Sequence, residues 1–324
     1  MRTRYGILLF ALAAGIAGVA GGGKEFPPGR EDRRSVETGR TVSVRLHAGA
    51  PATRSVSPDE ERISDLNLFV FRNDTMLEER LWVDARTLRD RGIPPLRLPR
   101  GLEYTLYACV NFGYELHSVR TLEDLTGHRH YLAYPDEYSR GIPMTGIAEA
   151  DGETNTVTIP LERMMAKISL SVDRRALDPD VRFSVRSVHI GNTPRSAAAF
   201  GTSRVQGNGD VFVRGFDRTG VQADALNRDR EPGVSGTVSV YMLENLQGGD
   251  PVLPSYIEIR AEYDSDTRHT LPGQYLICRF HLGTEPGNYD VHRNFHYRFT
   301  VRPEGDGLLT EDHWSVDKSA LVHY

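Results

Sequence analysis

The chain has 324 residues, with 39 Lys+Arg against 44 Asp+Glu, a formal net charge of −5, 39% hydrophobic residues and 2 Cys. This balance excludes a disulfide framework and a disordered polyampholyte. There is no basic excess to neutralise phosphates, so no nucleic-acid partner is expected, and the length predicts two domains.

Arg2 and Arg4 precede an unbroken small-and-apolar run over residues 6–20. At about 15 residues it is short of the ~20 that a spanning helix needs, so residues 1–20 read as an export signal cut after Ala20. Val19, Ala20 and Gly21 also fit the first three places of a bacterial lipoprotein box. The fourth place, where the lipid-bearing Cys would stand, is Gly22. Without a sulfur no thioether to diacylglycerol can form, so the chain reads either as a variant of a lipoprotein or as an ordinary secreted protein. Residues 21–40 shift to Gly, Pro and charge with no periodicity, which is the composition of a flexible tether.

Beyond residue 40 the apolar period is almost wholly two, the mark of half-buried strands. Residues 41–48 place Val42, Val44 and Leu46 on one side, and residues 65–71 alternate Leu66, Leu68 and Val70. Arg72, Asn73, Asp74 and Thr75 follow as turn residues before a strand over 76–83, which predicts a hairpin. Strands are expected over 102–111 and 152–161, and helix only over 121–125 and near Thr87. The second half predicts strands over 164–172, 181–190, 237–243, 256–263, 274–282 and 295–301, with an elaborated loop region over 194–232. About six or seven strands per half argue for an all-β fold of two tandem β-sandwiches, 41–162 and 163–324.

No HExxH, GxSxG or P-loop pattern occurs, so neither catalysis nor a cofactor is expected. His128 and His130 would point to one face of a strand. Two ligands without a third nearby do not make a metal site, so no metal is expected and both are read as lying on a solvated strand or loop. Tyr263, Asp264, Ser265 and Asp266 resemble the start of a calcium loop but lack its Gly and distal Glu, so a hairpin turn is expected. Cys109 and Cys278 sit in apolar alternating strands of different sandwiches. Each is expected as a small buried hydrophobe, although export leaves a disulfide open.

Several short runs, in order along the chain, resemble fimbrillin-type (type V) proteins of Bacteroidales. They are Gly141, Ile142, Pro143, Met144, Thr145 and Gly146; Leu161, Arg163, Ala166 and Lys167; Tyr104 to Asn111 ending in Val-Asn; Tyr241 to Asn245; and Val291 to Tyr297 with its Arg-Asn pair. The length and the near-complete lipoprotein box are most similar to the anchor subunits, the minor-fimbrium anchor above all. The resemblance implies transthyretin-like sandwiches, export, a place on the outer membrane at the base of a fimbrium, and the fimbrillin shaft subunit and accessory fimbrial proteins as partners. Gly22 departs from the family, so attachment to the outer membrane through a lipid is implied only if position 22 carries a Cys in the native protein. The pattern Asp74, Thr75, Met76 further resembles the O-glycan acceptor of Bacteroidales exported proteins, marking Thr75.

Sandwich subunits polymerise by strand addition, in which an extended segment completes an open sheet edge. Val42, Val44 and Leu46 are candidates to fill such a groove within the chain, and Trp314, Val316 and Leu321 mark a C-terminal donor or closing edge strand. Alternatives are a shaft or tip subunit cleaved at Arg54, and a secreted glycan-binding sandwich. The signal reading generates one test: Gly22→Cys should confer fatty-acid labelling and outer-membrane attachment, whereas the Gly22 form should be cut near Ala20 and released without acyl chains.

Overall fold

In the computed structural model the described residues are 39–48, 60–215, 223–249, 251–266, 275–284, 287–305 and, for the backbone, 314–320. The export signal with Ala20, Gly22, most of the tether, Arg54 and Leu321 lie outside them. The first half contains β1 (Arg40–His47), β2 (Leu66–Arg72), β3 (Met76–Val83), α1 (Ala85–Arg91), β4 (Leu96–Leu98), β5 (Tyr104–Val110), α2 (Leu122–Thr126), β6 (Arg129–Tyr131), β7 (Met144–Ala150) and β8 (Thr156–Arg163). The second half contains β9 (Met165–Val172), β10 (Val181–Gly191), β11 (Thr193–Pro194), β12 (Ser196–Ala198), β13 (Val211–Phe212), β14 (Asp229–Glu231), β15 (Val234–Ser235), β16 (Val238–Leu243), β17 (Tyr256–Ser265), β18 (Tyr275–His281), β19 (Phe295–Val301) and β20 (Trp314–Ala320). The fold is all-β.

In the first half the strands neighbour one another in the order β3-β2-β5-β7-β8-β1-β4. β8 changes partners along its length: Leu161 and Arg163 pair with β7, whereas Thr156 to Pro160 pair with β1 in parallel. A strand that serves two sheets turns a corner, and the ladder folds over into a sandwich. Val42, Leu68, Leu106 and Ile159 are among the side chains packed inside. In the second half the sheet β16-β9-β19-β20 packs on β10-β17-β18. Ile168, Leu170, Val188, Ile259 and Phe299 fill that core.

β2 and β5 bury both of their faces. Leu66, Leu68 and Val70 point into the first sandwich, while Phe69 and Phe71 point away from it into a further core. On β5, Leu106 and Ala108 take the first side and Tyr107 and Cys109 the second. An antiparallel strand with water on one face would alternate apolar and polar, and these do not. The second face is covered from the other half of the chain by Met164, Met165, Tyr241 and Leu243, and by Ala197, Ala199 and Phe212. The rings interlock at right angles, with Phe71 and Tyr107 centroids 5.8 Å apart and Tyr107 and Phe200 centroids 5.4 Å apart. Thr38–Tyr324 accordingly make up a single packed unit.

The region 194–232 departs from the expected loop within the second sandwich. β12 pairs with β6 of the first half, Ala197 opposite His130, and the main chain adds Leu132 N to Arg195 O at 2.8 Å and Ala199 N to His128 O at 2.9 Å. Its apolar residues enter the shared core singly, so no period betrays them. β7 was hidden for another reason: its Gly146 lets it approach β8, where a Cβ would stand 2.3 Å from Pro160 O. The expected turn at Tyr263 to Asp266 is instead mostly strand, since β17 runs through Ser265 and Arg182 pairs with Asp264 and Asp266 at 3.5 and 2.9 Å. Cys109 and Cys278 are free thiols, the first buried and the second half-buried.

The shared core generates a prediction. Phe71→Ala should cost about 3–5 kcal/mol, and urea unfolding should stay a single transition for both halves. A second transition resolved by circular dichroism or by hydrogen exchange in β9 would show that the shared core does not couple them.

Candidate subunit-contact site

β1 holds the first set of candidate contact residues. Val42 and Val44 are buried and Leu46 is half-buried, all against the first sandwich core, whereas Thr41, Ser43 and Arg45 face out. One edge of β1 is bonded to β8 over Ser43 to His47, but on the other edge β4 reaches only Arg40 to Val42. The strand is thus an apolar plug held by one ladder and part of another. At about 1.5–3 kcal/mol for each fully buried aliphatic side chain, its Val residues contribute substantially to closing the groove.

The connection that leaves β1 is stapled at both described ends. Arg163, fully buried at the end of β8, donates from Nε to Glu60 O at 3.1 Å and from Nη2 to Ala48 O at 3.4 Å. Lys167, projecting from β9, places Nζ 2.7 Å from Glu60 Oε1, and Tyr241 Oη donates to the same oxygen. Glu60 and Lys167 are both buried, so the pair stands out of water and each charge depends on the other. Burial draws the Arg163 pKa below its ordinary range, and the charge of Glu60 opposes that shift. Arg163 and Lys167 belong to one of the sequence runs singled out above; Glu60 carried no sequence signal.

The second set lies in β20, which is bonded antiparallel to β19 with Trp314 opposite Val301 and Val316 opposite Phe299. Among the described residues β20 is the edge of its sheet. Thr75 sits in the exposed turn between β2 and β3, where Asn73 and Asp74 take positive φ of 48° and 53°. Its N–H and hydroxyl both donate to Arg72 O.

No protein-family model and no curated protein matches the sequence. Solved structures do. A protein of Bacteroides eggerthii DSM 20697 proposed to act in cell adhesion aligns with a TM-score of 0.58 and 14% identity, over 88% of this chain and 96% of that one. A fimbrilin from Porphyromonas gingivalis W83 aligns at 0.56 and 16%, over 89% and 99%. The tip fimbrial protein Mfa3 of P. gingivalis, with its C-terminus truncated, aligns at 0.52 and 14%, over 87% and 100%. This chain has the fold of these fimbrial proteins.

Within the fimbrial fold the sequence runs that carried the resemblance become buried polar joints. Asn111 adopts a positive φ of 62°; its amide accepts from Ser64 N at 2.7 Å and donates to Arg62 O and Ile142 O at 2.7 and 2.8 Å. Gly141, at φ 114°, leaves room for that amide, since a Cβ would stand 2.6 Å from its nitrogen. Arg293 pairs with Glu244 at 3.1 Å and donates to Ala198 O at 3.0 Å, tying β12 to the end of β16. Asn245 N and Val291 N exchange bonds with each other's carbonyls at 2.9 Å.

Glu162, Glu244 and Arg293 also line a cavity of about 490 Å³ between the halves. Burial raises the Glu162 carboxyl above its ordinary range, against the pull of Arg293.

His128 and His130 are not on a solvated strand. His130 is buried, with its pKa pushed down to about 4 by burial and then by His128, and burial lowers His128 as well. Both rings contact Tyr114 and Phe112, which the sequence reading did not connect to them.

Breaking the staple has a stated cost. Glu60→Ala should destabilise by about 3–5 kcal/mol, because it removes one partner of a buried ion pair. Glu60→Gln combined with Lys167→Met should recover most of that loss in urea titrations; equal losses in the single and double variants would contradict a buried ion pair.

Proposed function

We propose that this chain is a structural, non-catalytic fimbrial subunit that acts at the base of a fimbrium and meets the fimbrillin shaft subunit and accessory fimbrial proteins by strand addition. The observation that carries the reading is the alignment of this chain over almost the whole length of a fimbrilin and a tip fimbrial protein. The arrangement of β1 supports it further. Among the described residues this strand is bonded mainly along one edge, an arrangement suited to receiving an extended segment of a neighbour on the other. On this reading residues 41–162 and 163–324 act as two sandwich domains joined by a shared core, suited to a subunit that transmits pull along a filament.

The base is favoured over the shaft because Arg163 bonds to both Ala48 and Glu60, so β1 is stapled at its exit. In a shaft or tip subunit that strand would be freed, with Arg54 as the cleavage point. A tip role has its own support in the likeness to the tip fimbrial protein. A glycan-binding role would use the cavity between the halves, where Glu162 and Glu244 converge. Thr75, exposed in its turn, belongs to the same proposal as an O-glycan acceptor of a cell-surface protein. Attachment to the outer membrane by a lipid requires a Cys at position 22.

Deleting the gene tests the reading. Fimbriae should still polymerise but should be shed into the medium, and the wild-type gene should restore their retention. Unchanged retention would contradict a base subunit, and loss of adhesion with retention intact would favour the tip.

A further inference from the structure

Spacing puts His128 and His130 on one side of the chain without a third ligand. The fold supplies one from a different loop. Tyr114 Oη stands 3.4 Å from His128 Nε2 and 3.4 Å from His130 Nδ1. Both separations exceed the roughly 2.7–3.2 Å of a good hydrogen bond between such groups. They do match the edge of a coordination tetrahedron, which is about 3.3–3.4 Å for metal–ligand bonds of about 2.0–2.1 Å. We propose that Tyr114 Oη, His128 Nε2 and His130 Nδ1 form a three-donor site for a divalent first-row transition cation that accepts tetrahedral geometry, Zn2+ above the others, with Cu2+ as its coloured probe.

The donors are held before any ion arrives. Asp65 accepts from Phe112 N and Gly113 N, both at 3.0 Å, and Asn67 donates to Tyr114 O at 3.0 Å, so the loop that carries the phenol is fixed from β2. The backbone that carries the imidazoles is fixed by the pairing of β6 with β12 and by Ala199 N on His128 O. Phe112 packs over His130 with ring centroids 4.5 Å apart, covering one side of the cluster. Tyr114 is 40% exposed, which leaves an approach from water. Ligands whose backbones are locked in this way lose little freedom when they bind.

The donor set selects the ion. Two imidazoles suit Zn2+, Cu2+ and Ni2+, and the tetrahedral separation favours Zn2+; affinity within the divalent series peaks at Cu2+, which binds the same donors and reports on them by its colour. Binding exchanges the phenol proton for the metal, Tyr–OH + Cu2+ giving Tyr–O−–Cu2+ + H+, with water completing the coordination and no change of oxidation state. Among the described residues no three His, Cys, Asp or Glu side chains converge on one point. The phenolate is therefore what makes a site of the two histidines, and its chemistry gives the site its signature.

The test titrates the tag-free full chain with Cu2+ at neutral pH and follows calorimetry, visible absorption and thermal unfolding. The expected result is one tightly held equivalent, a phenolate-to-copper charge-transfer band, and a higher Tm with bound metal. Tyr114→Phe should remove the band and weaken binding at least tenfold. His128→Gln, at a half-buried position, should weaken it likewise, and His47→Gln, on exposed β1, should change neither. Circular dichroism of each variant establishes that it is folded. The absence of the band in the parent chain, its persistence in Tyr114→Phe, or an affinity unmoved by His128→Gln would each overturn the site.

Discussion

Burial of β2 and β5 on both faces is the constraint on which the rest of the structure depends. A sheet with Phe69, Phe71, Tyr107 and Cys109 on its second face cannot leave that face in water. The second half of the chain covers it. This requirement explains why Met164 and Met165 sit at the crossing between the halves, and why β12 leaves its own sandwich to pair with β6. Two sandwiches joined by a flexible linker would move independently, whereas a continuous apolar core suppresses such motion. A displacement of one sandwich is therefore passed to the other through packed side chains and the β6–β12 ladder.

Buried polar side chains inside this apolar joint bond across it, and those partners fix the loops. Glu60 meets Lys167 and Tyr241; Arg293 meets Glu244 and the carbonyls of β12; Asn111 meets three main-chain groups. Leaving any of them unpaired would carry a desolvation penalty, so each joint tolerates only one arrangement of the chain around it. The Arg163 staple extends the same logic to β1. Ala48, just after β1, and Glu60 are bonded to one guanidinium, which ties the end of β1 to the junction between the halves.

Half-buried strands were readable from the sequence because their chemistry alternates. β1 buries Val42 and Val44 and exposes Thr41, Ser43 and Arg45, as its period of two requires. The short helix expected over 121–125 is found as α2, where Thr121 and Asp124 form a capping box. Longer-range facts were not readable. The second buried face of β2 and β5 looks in sequence like any apolar run, and β7 carries Gly146 on a buried position and the apolar Ile147 on an exposed one, so its alternation is blurred. The runs that resemble fimbrillins could be found but not interpreted, since the partners of Arg163, Lys167 and Asn111 lie dozens of residues away. Glu60 and Tyr114 gave no signal, because one is an ordinary surface residue type and the other is separated from its histidines by a loop and a helix.

The central claim is that β1 stays in its groove in a subunit that belongs to a fimbrium. The most direct measurement is the intact mass of the protein isolated with fimbriae from its native envelope. The account predicts co-purification with fimbriae and a mature chain beginning near residue 21, with β1 retained. A chain beginning at Ser55, or a protein absent from the fimbrial fraction, would contradict it.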